Sequence, residues 1–192
     1  MKLKDKYIFR PYNPRFPQLF ETEKIRLQKT LGNKVEIEHI GSTAVPGLGG
    51  KGVIDISLAL PKNEWEATST KLSALGYKYR PKDPEREDQR LFFMANLPDQ
   101  ELGTRLYHIH LTYPDSPELK KELTFRNYLR THPQAVDEYA QIKMQAAKEA
   151  QKYTTKNEMR DIYGKIKETF IRNILNSANL TSSPSPTAPD YN

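Results

Sequence analysis

The segment EIEHIGSTAVPGLGGKGVIDISLAL, residues 36–60, places a Gly-Ser pair shortly before a carboxylate that is embedded in an apolar run. Gly41 gives the backbone room to approach an anion, and Ser42 with Thr43 can open a short helical turn whose backbone amides attract phosphate. Asp55 lies further along the chain, within a segment that is apolar enough for a strand inside a sheet. A carboxylate beside a phosphate-binding turn suits a divalent cation that bridges phosphates. The alternative is an ordinary Gly-Ser turn and a capping Asp.

Two histidines alternate in the segment RLYHIHL, where the pattern predicts another strand. His108 and His110 therefore share one face, and they would face Asp55 if the two strands lie in one sheet as we expect. One carboxylate and two imidazoles could bind a single transition-metal ion such as Zn²⁺, instead of a pair of Mg²⁺ ions. The alternative is two structural histidines, or two that hydrogen-bond to a ligand. A one-residue change of register would turn both side chains to the opposite face.

Two arginines lie four residues apart in FRNYLR, a segment with helical periodicity. Arg126 and Arg130 therefore share one helix face, and two guanidinium groups on one face match the geometry of phosphate or carboxylate. We predict that they bind the phosphates of a ligand. The alternative is surface ion pairing with Glu122 or Asp137.

The net charge of the chain is +6, and the positive excess lies in residues 1–31 and 117–176. Lys51, which precedes the Asp55 strand, and Lys143 could complete an anion site. A phosphate-bearing small molecule is therefore a plausible partner. Sequence-specific nucleic-acid binding is not indicated, because the sequence has neither a basic run nor alternating arginine and aromatic residues. A solvated basic surface is the alternative.

Several classes of function are excluded by what the sequence lacks. There is no Cys, so thiol nucleophiles, thiolate metal sites and disulfides are excluded. The GLGG segment at residues 47–50 is not followed by Gly-Lys-Ser/Thr, so it is not a Walker loop, and no nucleophile elbow is present for a Ser-His-Asp hydrolase. The first ten residues lack the apolar run of a signal peptide, and no segment approaches the ~20 apolar residues of a membrane span. We expect a cytoplasmic protein with no membrane partner.

The elements that must position these residues alternate in type along the chain. Helical periodicity and capping signals predict helices at residues 15–31 and 64–75 and three more helices from Ser116 onward. Apolar and alternating segments predict strands at 35–40, 52–60, 90–96 and 104–112. The fold class is therefore α+β, a mixed α/β sheet with a C-terminal helical extension. We predict one domain over residues 1–176 and a disordered tail over residues 177–192, which are rich in Ser, Thr and Pro.

The segment HIGSTAVPGLGGKGVIDISLAL, followed in order by YHIHL, FRNYLR, HPQAVDEYAQIK and YTTKNEMRDIY, resembles the GrpB family. This family is a branch of the nucleotidyltransferase fold that occurs alone or fused to dephospho-CoA kinase. The resemblance implies a nucleotidyltransferase-like fold in which Gly41 and Ser42 form the phosphate-side turn. It also implies that Asp55 is the catalytic residue and the first of the metal-binding carboxylates along the chain. Active members of the wider superfamily usually have a second acid two positions later, where this chain has Ser57.

Three functions are consistent with these features. The first is a nucleotidyltransferase-like enzyme that binds a nucleotide with a divalent metal, which would be Mg²⁺ or Mn²⁺, or Zn²⁺ if both histidines are ligands. The second, suggested by Ser57, is a catalytically inactive module that binds a nucleotide or a coenzyme A-related molecule. The third is a protein-interaction domain that assists dephospho-CoA kinase, with a protein as its partner.

Overall fold

The structure is a computed structural model that describes residues 7–81 and 89–181. The sheet strands are β1 (Glu36–Ile40), β2 (Ile54–Ala59), β3 (Lys78–Tyr79), β4 (Leu91–Asp99) and β5 (Gly103–Thr112). The α-helices are α1 (Phe16–Leu31), α2 (Trp65–Ala74), α3 (Pro117–Thr131), α4 (Pro133–Ala150) and α5 (Lys156–Thr181). In the part of the chain that the structure describes, no helix combines the length and the apolar character needed to cross a membrane.

The five strands form one mixed sheet in the order β1-β2-β5-β4-β3. Strand β2 is antiparallel to β1 and parallel to β5, while β5 forms an antiparallel hairpin with β4. The parallel register places Asp55 opposite His108 and Ser57 opposite His110. This register confirms that the carboxylate and the two histidines lie on the same face of neighbouring strands.

The two faces of β2 have different surroundings. Ile54, Ile56 and Leu58 are fully buried in the main core, which also contains side chains of α1 and α2. The other face of β2 presents Asp55 toward residues of α4 and α5. The predicted mixed α+β fold with a C-terminal helical extension is therefore confirmed, and the extension covers the polar face of the sheet.

The starts of α3 and α5 follow the predicted capping signals. The Ser116 hydroxyl accepts a hydrogen bond from the Leu119 amide at 3.1 Å, and the Thr155 hydroxyl donates to the Glu158 carboxylate at 2.6 Å. Helix α5 continues to Thr181. Residues 177–181, which we predicted to begin the disordered tail, are therefore helical, and residues 182–192 lie outside the described part.

His39 is a buried histidine that connects β1 to the turn after it. Its ring stacks on Phe20 with centroids 4.5 Å apart, and its Nε2 lies 3.0 Å from the Thr43 hydroxyl. The Thr43 hydroxyl also donates to the Val53 carbonyl at 2.9 Å. Burial, which the positive charges of Arg130 and Arg126 reinforce against an opposing effect of Asp55, lowers the pKa of His39 from 6.5 to about 4.

Acid is therefore expected to destabilise the fold through His39. The unfolded state takes up the proton below pH 6.5 while the folded state resists it until about pH 4, so stability falls as the pH falls through this window. Between pH 7.5 and 4.5 the loss due to His39 should be about 2 kcal/mol. Urea denaturation at both pH values should show this loss in the wild type and in His132→Gln, whose histidine is exposed. Equal losses in His39→Gln and the wild type would contradict it.

Candidate functional site

A carboxylate and two imidazoles meet on the polar face of the sheet. Asp55 Oδ1 lies 2.9 Å from His108 Nδ1 and 3.7 Å from His110 Nε2. The three residues each offer a ligand atom, and these atoms all lie within 4.8 Å of one another. Their side chains are 24%, 16% and 12% exposed, so the group is partly shielded but still reachable from solvent.

The turn that precedes β2 lies directly against Asp55. Gly41 has a φ of +71°, and a Cβ at this position would lie 2.6 Å from Asp55 Oδ2, so glycine is required for conformation and for space. The next residues form the predicted short helical turn, a single 3-10 turn over Ser42–Ala44. Burial alone would raise the pKa of Asp55, but the hydrogen bonding and charge of His108 and His110 outweigh it and hold the pKa below its usual range. Asp55 is therefore an anion at neutral pH.

His110 lies between two acids. Its Nδ1 is 3.6 Å from Glu122 Oε1, on the side away from Asp55, and the same Glu122 oxygen pairs with Arg90 at 3.0 Å. Ser57, in register with His110, is 1% exposed, and its hydroxyl has no hydrogen-bond partner among the described residues. The position of the expected second acid thus holds a neutral, buried oxygen.

Four basic side chains converge on the same space from the helices and the glycine-rich segment. They are Lys51, Lys143, Arg160 and Lys167. Lys143 is 4% exposed, and its Nζ donates to the Gly49 carbonyl at 2.6 Å. A Cβ on Gly50 would lie 2.4 Å from that Nζ and 2.8 Å from Ser42 Oγ, so a glycine here keeps the lysine and the serine close together.

The basic side chains of this cluster outnumber its acidic ones. Burial lowers the pKa of Lys143 well below its usual value, and the charges of Lys167 and Lys51 lower it further, while Asp55 opposes them. Lys51 Nζ lies over the rings of Tyr7 and Tyr163 at 5.2 and 4.9 Å. An anionic ligand would relieve the repulsion among these cations.

Together these groups line a cavity of about 310 Å³. Its floor is the polar face of β2 and β5, and its walls come from the turn at Ser42 and from helices α4 and α5. The cavity thus combines a metal-type donor set with an anion-binding wall. Of the residues predicted from the sequence, the structure brings six to this cavity: Ser42, Lys51, Asp55, His108, His110 and Lys143.

Arg126 and Arg130, which we predicted to bind the phosphates of a ligand, line a different cavity of about 470 Å³ between α1, β1 and α3. Arg126 donates to the Glu38 carboxylate and to the His39 carbonyl, and Arg130 donates to the Ala44 carbonyl at 2.9 Å. The two guanidinium groups therefore stabilise β1 and the turn from the side away from the Asp55 cavity. The alternative ion pairs with Glu122 and Asp137 are also wrong for Arg126, whose carboxylate partner is Glu38.

Thr43 is likewise not positioned as a phosphate ligand. It is 1% exposed, and its hydroxyl is engaged by His39 and the Val53 carbonyl. The Thr43 hydroxyl therefore stabilises the turn through these two contacts. Ser42 is the turn residue that lines the Asp55 cavity.

Sequence reasoning missed the contribution of α5 to the cavity. Arg160, Tyr163, Gly164 and Lys167 line it and occupy positions i, i+3, i+4 and i+7, which is one face of a helix. This spacing was a usable signal, but the apolar positions at 159, 162, 166 and 170 lie beside it and indicated only a packed helix. Lys143, for which the sequence left a solvated position as the alternative to the anion site, is buried against Gly49.

The donor set of the cavity discriminates between metals. Mg²⁺ prefers oxygen ligands in octahedral geometry, and a pair of Mg²⁺ ions needs more than one carboxylate. Here Asp55 is the one carboxylate of the group, beside two imidazoles and the neutral Ser57. This set fits one ion that accepts nitrogen ligands, such as Zn²⁺.

Comparisons with known proteins identify the family and the fold of the chain. The GrpB protein family model matches residues 7–177. A UPF0157 protein of Halalkalibacterium halodurans is 33% identical over 174 residues, which are 88% of this chain and 81% of that protein. A UPF0157 protein of Pseudomonas aeruginosa is 35% identical over 171 residues, covering 88% of this chain and 66% of that protein.

Solved structures show the same fold. The crystal structure of conserved protein GrpB from Enterococcus faecalis matches with a TM-score of 0.72 and 26% identity, over 91% of this chain and 98% of that one. The Cid1 poly(U) polymerase with MgGTP bound matches with a TM-score of 0.51 and 11% identity, over 72% of this chain and 44% of the polymerase. The latter shows similarity of fold alone, a nucleotidyltransferase-like one. The chain belongs to the GrpB family.

Proposed function

We propose that the protein binds a nucleoside triphosphate in the Asp55 cavity and transfers its nucleotidyl group to a hydroxyl acceptor. The observation that carries the proposal is the presence, in one cavity, of the Asp55, His108 and His110 donor set and four basic side chains. A triphosphate is a polyanion that would neutralise these cations. The nucleotidyltransferase-like fold supports the same function, since a polymerase of that fold was solved with MgGTP bound.

The chemistry assigned to the chain is positioning and charge stabilisation. The acceptor hydroxyl oxygen attacks the α-phosphorus, the bond from that phosphorus to the β-phosphate oxygen breaks, and pyrophosphate leaves with the electron pair. The hydroxyl proton passes to water. Lys143, Lys51 and Lys167 offset the charge on the departing pyrophosphate, and Ser42 Oγ can donate to a phosphate oxygen.

A divalent ion would be held by Asp55, His108 and His110, and when bound it would supply positive charge to the reacting phosphate. The His108 Nδ1 that faces Asp55 must carry the proton of the hydrogen bond, because a carboxylate only accepts. Binding an ion through this nitrogen would therefore require the other tautomer, with the proton on Nε2.

A second function, nucleotide binding without turnover, is favoured by Ser57. Where the second carboxylate of active relatives would stand, this chain has a buried hydroxyl, and a missing carboxylate weakens metal-assisted chemistry. This module would bind a nucleotide or a coenzyme A precursor through the basic wall, with little dependence on metal.

Thermal denaturation with a panel of ligands tests both functions. Nucleoside mono-, di- and triphosphates and coenzyme A precursors are each added with and without Mg²⁺, Mn²⁺ or Zn²⁺. A ligand at 100 times its dissociation constant should add about 2.7 kcal/mol to the free energy of unfolding. A metal-dependent shift followed by pyrophosphate release with hydroxyl acceptors supports transfer. A shift without pyrophosphate release supports the binding module, and the absence of any shift overturns both.

A further inference from the structure

A third cavity of about 790 Å³ lies between α3 and α5 and shares two of its lining residues, Gly164 and Lys167, with the Asp55 cavity. We propose that this α3–α5 groove is the acceptor site, and that it binds a phosphorylated small molecule with an apolar portion. The proposal rests on the proposed nucleotidyl transfer, for which it names the class of acceptor.

The charge of the groove selects an anion. Lys120, Lys121, Lys167 and Arg172 line it, against a single acid, Glu168. Lys120 and Lys121 pair with Asp115 and Glu118 only at 3.4 and 3.5 Å, and their side chains are 64% and 59% exposed. Such exposed pairs contribute little, so both ammonium groups are available to turn toward a phosphate.

The remaining lining indicates the kind of anion. Ile171 and Leu175 are half-buried in the groove, so they offer an apolar surface beside the cations. Among the residues that the structure describes, the lining contains no aromatic side chain, whereas proteins that bind single-stranded nucleic acid stack bases on aromatic rings. The volume is within the range of small-molecule sites. A phosphomonoester with a hydrocarbon body therefore fits better than an oligonucleotide.

Gly164 lies where the groove meets the Asp55 cavity. It is an exposed residue inside α5, where glycine is unfavourable compared with alanine. A Cβ here would have no heavy atom within 4 Å, and the residue does not have a positive φ. Neither packing nor backbone conformation requires glycine, and its effect is to leave the junction of the two cavities open for an acceptor hydroxyl.

The test is a titration of isotope-labelled protein with hexyl phosphate, followed by backbone-amide NMR, with hexanol as the uncharged control. Hexyl phosphate should shift the amides of Thr124, Gly164 and Asn176 in a saturable way, and hexanol should not. Glycerol 3-phosphate, which lacks the apolar body, should bind several-fold more weakly. Tighter binding of a ten-nucleotide oligo(dT) at the same amides would overturn the proposal in favour of nucleic acid.

Charge-reversal variants test whether hexyl phosphate binds in the α3–α5 groove. The double variant Lys121→Glu/Arg172→Glu should weaken hexyl phosphate at least about tenfold. The control Lys29→Glu/Lys34→Glu has the same net charge and changes exposed residues, so it should retain affinity. Equal affinity in the two double variants would overturn the groove as the site.

A further variant separates this proposal from the proposed function. Gly164→Leu should melt at or above the wild-type temperature, while hexyl phosphate no longer reaches the junction and its effect on the Gly164 region is lost. If hexyl phosphate binds the groove but no nucleoside triphosphate binds the protein, nucleotidyl transfer fails and the acceptor role is overturned with it. If a nucleoside triphosphate binds and the groove variants bind hexyl phosphate like the wild type, only the acceptor site is overturned.

Discussion

Replacing Asp55 with Asn is expected to reduce pyrophosphate release at least about 100-fold, because the substitution removes the single carboxylate of the donor set. Asp55 lies within 2.9 Å of His108 Nδ1 and 3.7 Å of His110 Nε2, so it is the residue through which both imidazoles and the turn at Gly41 are joined. Asn has the same shape and leaves the contact with Gly41 in place. Titration with Mn²⁺ or Zn²⁺ should show a parallel loss of metal affinity.

The matched control for this substitution is Asp137→Asn. Asp137 is exposed on α4, so the control makes the same chemical change away from the cavity and should leave metal affinity and turnover unchanged. Circular dichroism and thermal melting show whether each variant is folded. Turnover in Asp55→Asn equal to that of the wild type would exclude Asp55 from catalysis, and unchanged metal affinity would exclude the donor set as the metal site.

Replacing Lys143 with Met is expected to weaken nucleotide binding about 30- to 100-fold while changing stability by no more than about 1 kcal/mol. The affinity falls because a charge-assisted contact to phosphate contributes roughly 2–3 kcal/mol. Stability is nearly preserved because Met retains the apolar stem and removes an amine whose charged form is disfavoured by burial and by the charges of Lys167 and Lys51. The loss of the hydrogen bond to the Gly49 carbonyl offsets that gain.

Lys148→Met provides the comparison on the same helix, since Lys148 is exposed and does not line the Asp55 cavity. It should bind nucleotide like the wild type. Urea denaturation and calorimetric titration of the two variants give stability and affinity separately. If Lys143→Met unfolds much more easily but binds nucleotide normally, Lys143 is an anchor for the glycine-rich segment and has no role in binding the ligand.

Lys143 and Ser57 are two groups that are held under unfavourable conditions. A buried ammonium near other lysines and a buried hydroxyl without a partner both reduce stability. Such features concentrate at binding and catalytic sites, where a ligand provides the missing interaction.

The sequence alone was sufficient for the elements that depend on local interactions. The boundaries of α1 and the starts of α3 and α5 follow from periodicity and from capping residues such as Ser116 and Thr155, whose side chains hydrogen-bond within three residues. The strands follow from alternation, except β3, whose two residues are too short to show a pattern. Helix α5 does not end at the predicted boundary, residue 176, but continues to Thr181.

The core of the site could also be predicted, because strand alternation and the order of the motifs place Asp55, His108 and His110 on one face. What only the tertiary structure decided is which cations reach that face. Arg126 and Arg130 have suitable spacing but bond to β1 and the turn from the other side, whereas Lys143 and Lys167 enter the cavity from α4 and α5. Spacing along a helix determines which residues share a face, but the packing of that helix against the sheet determines what the face contacts.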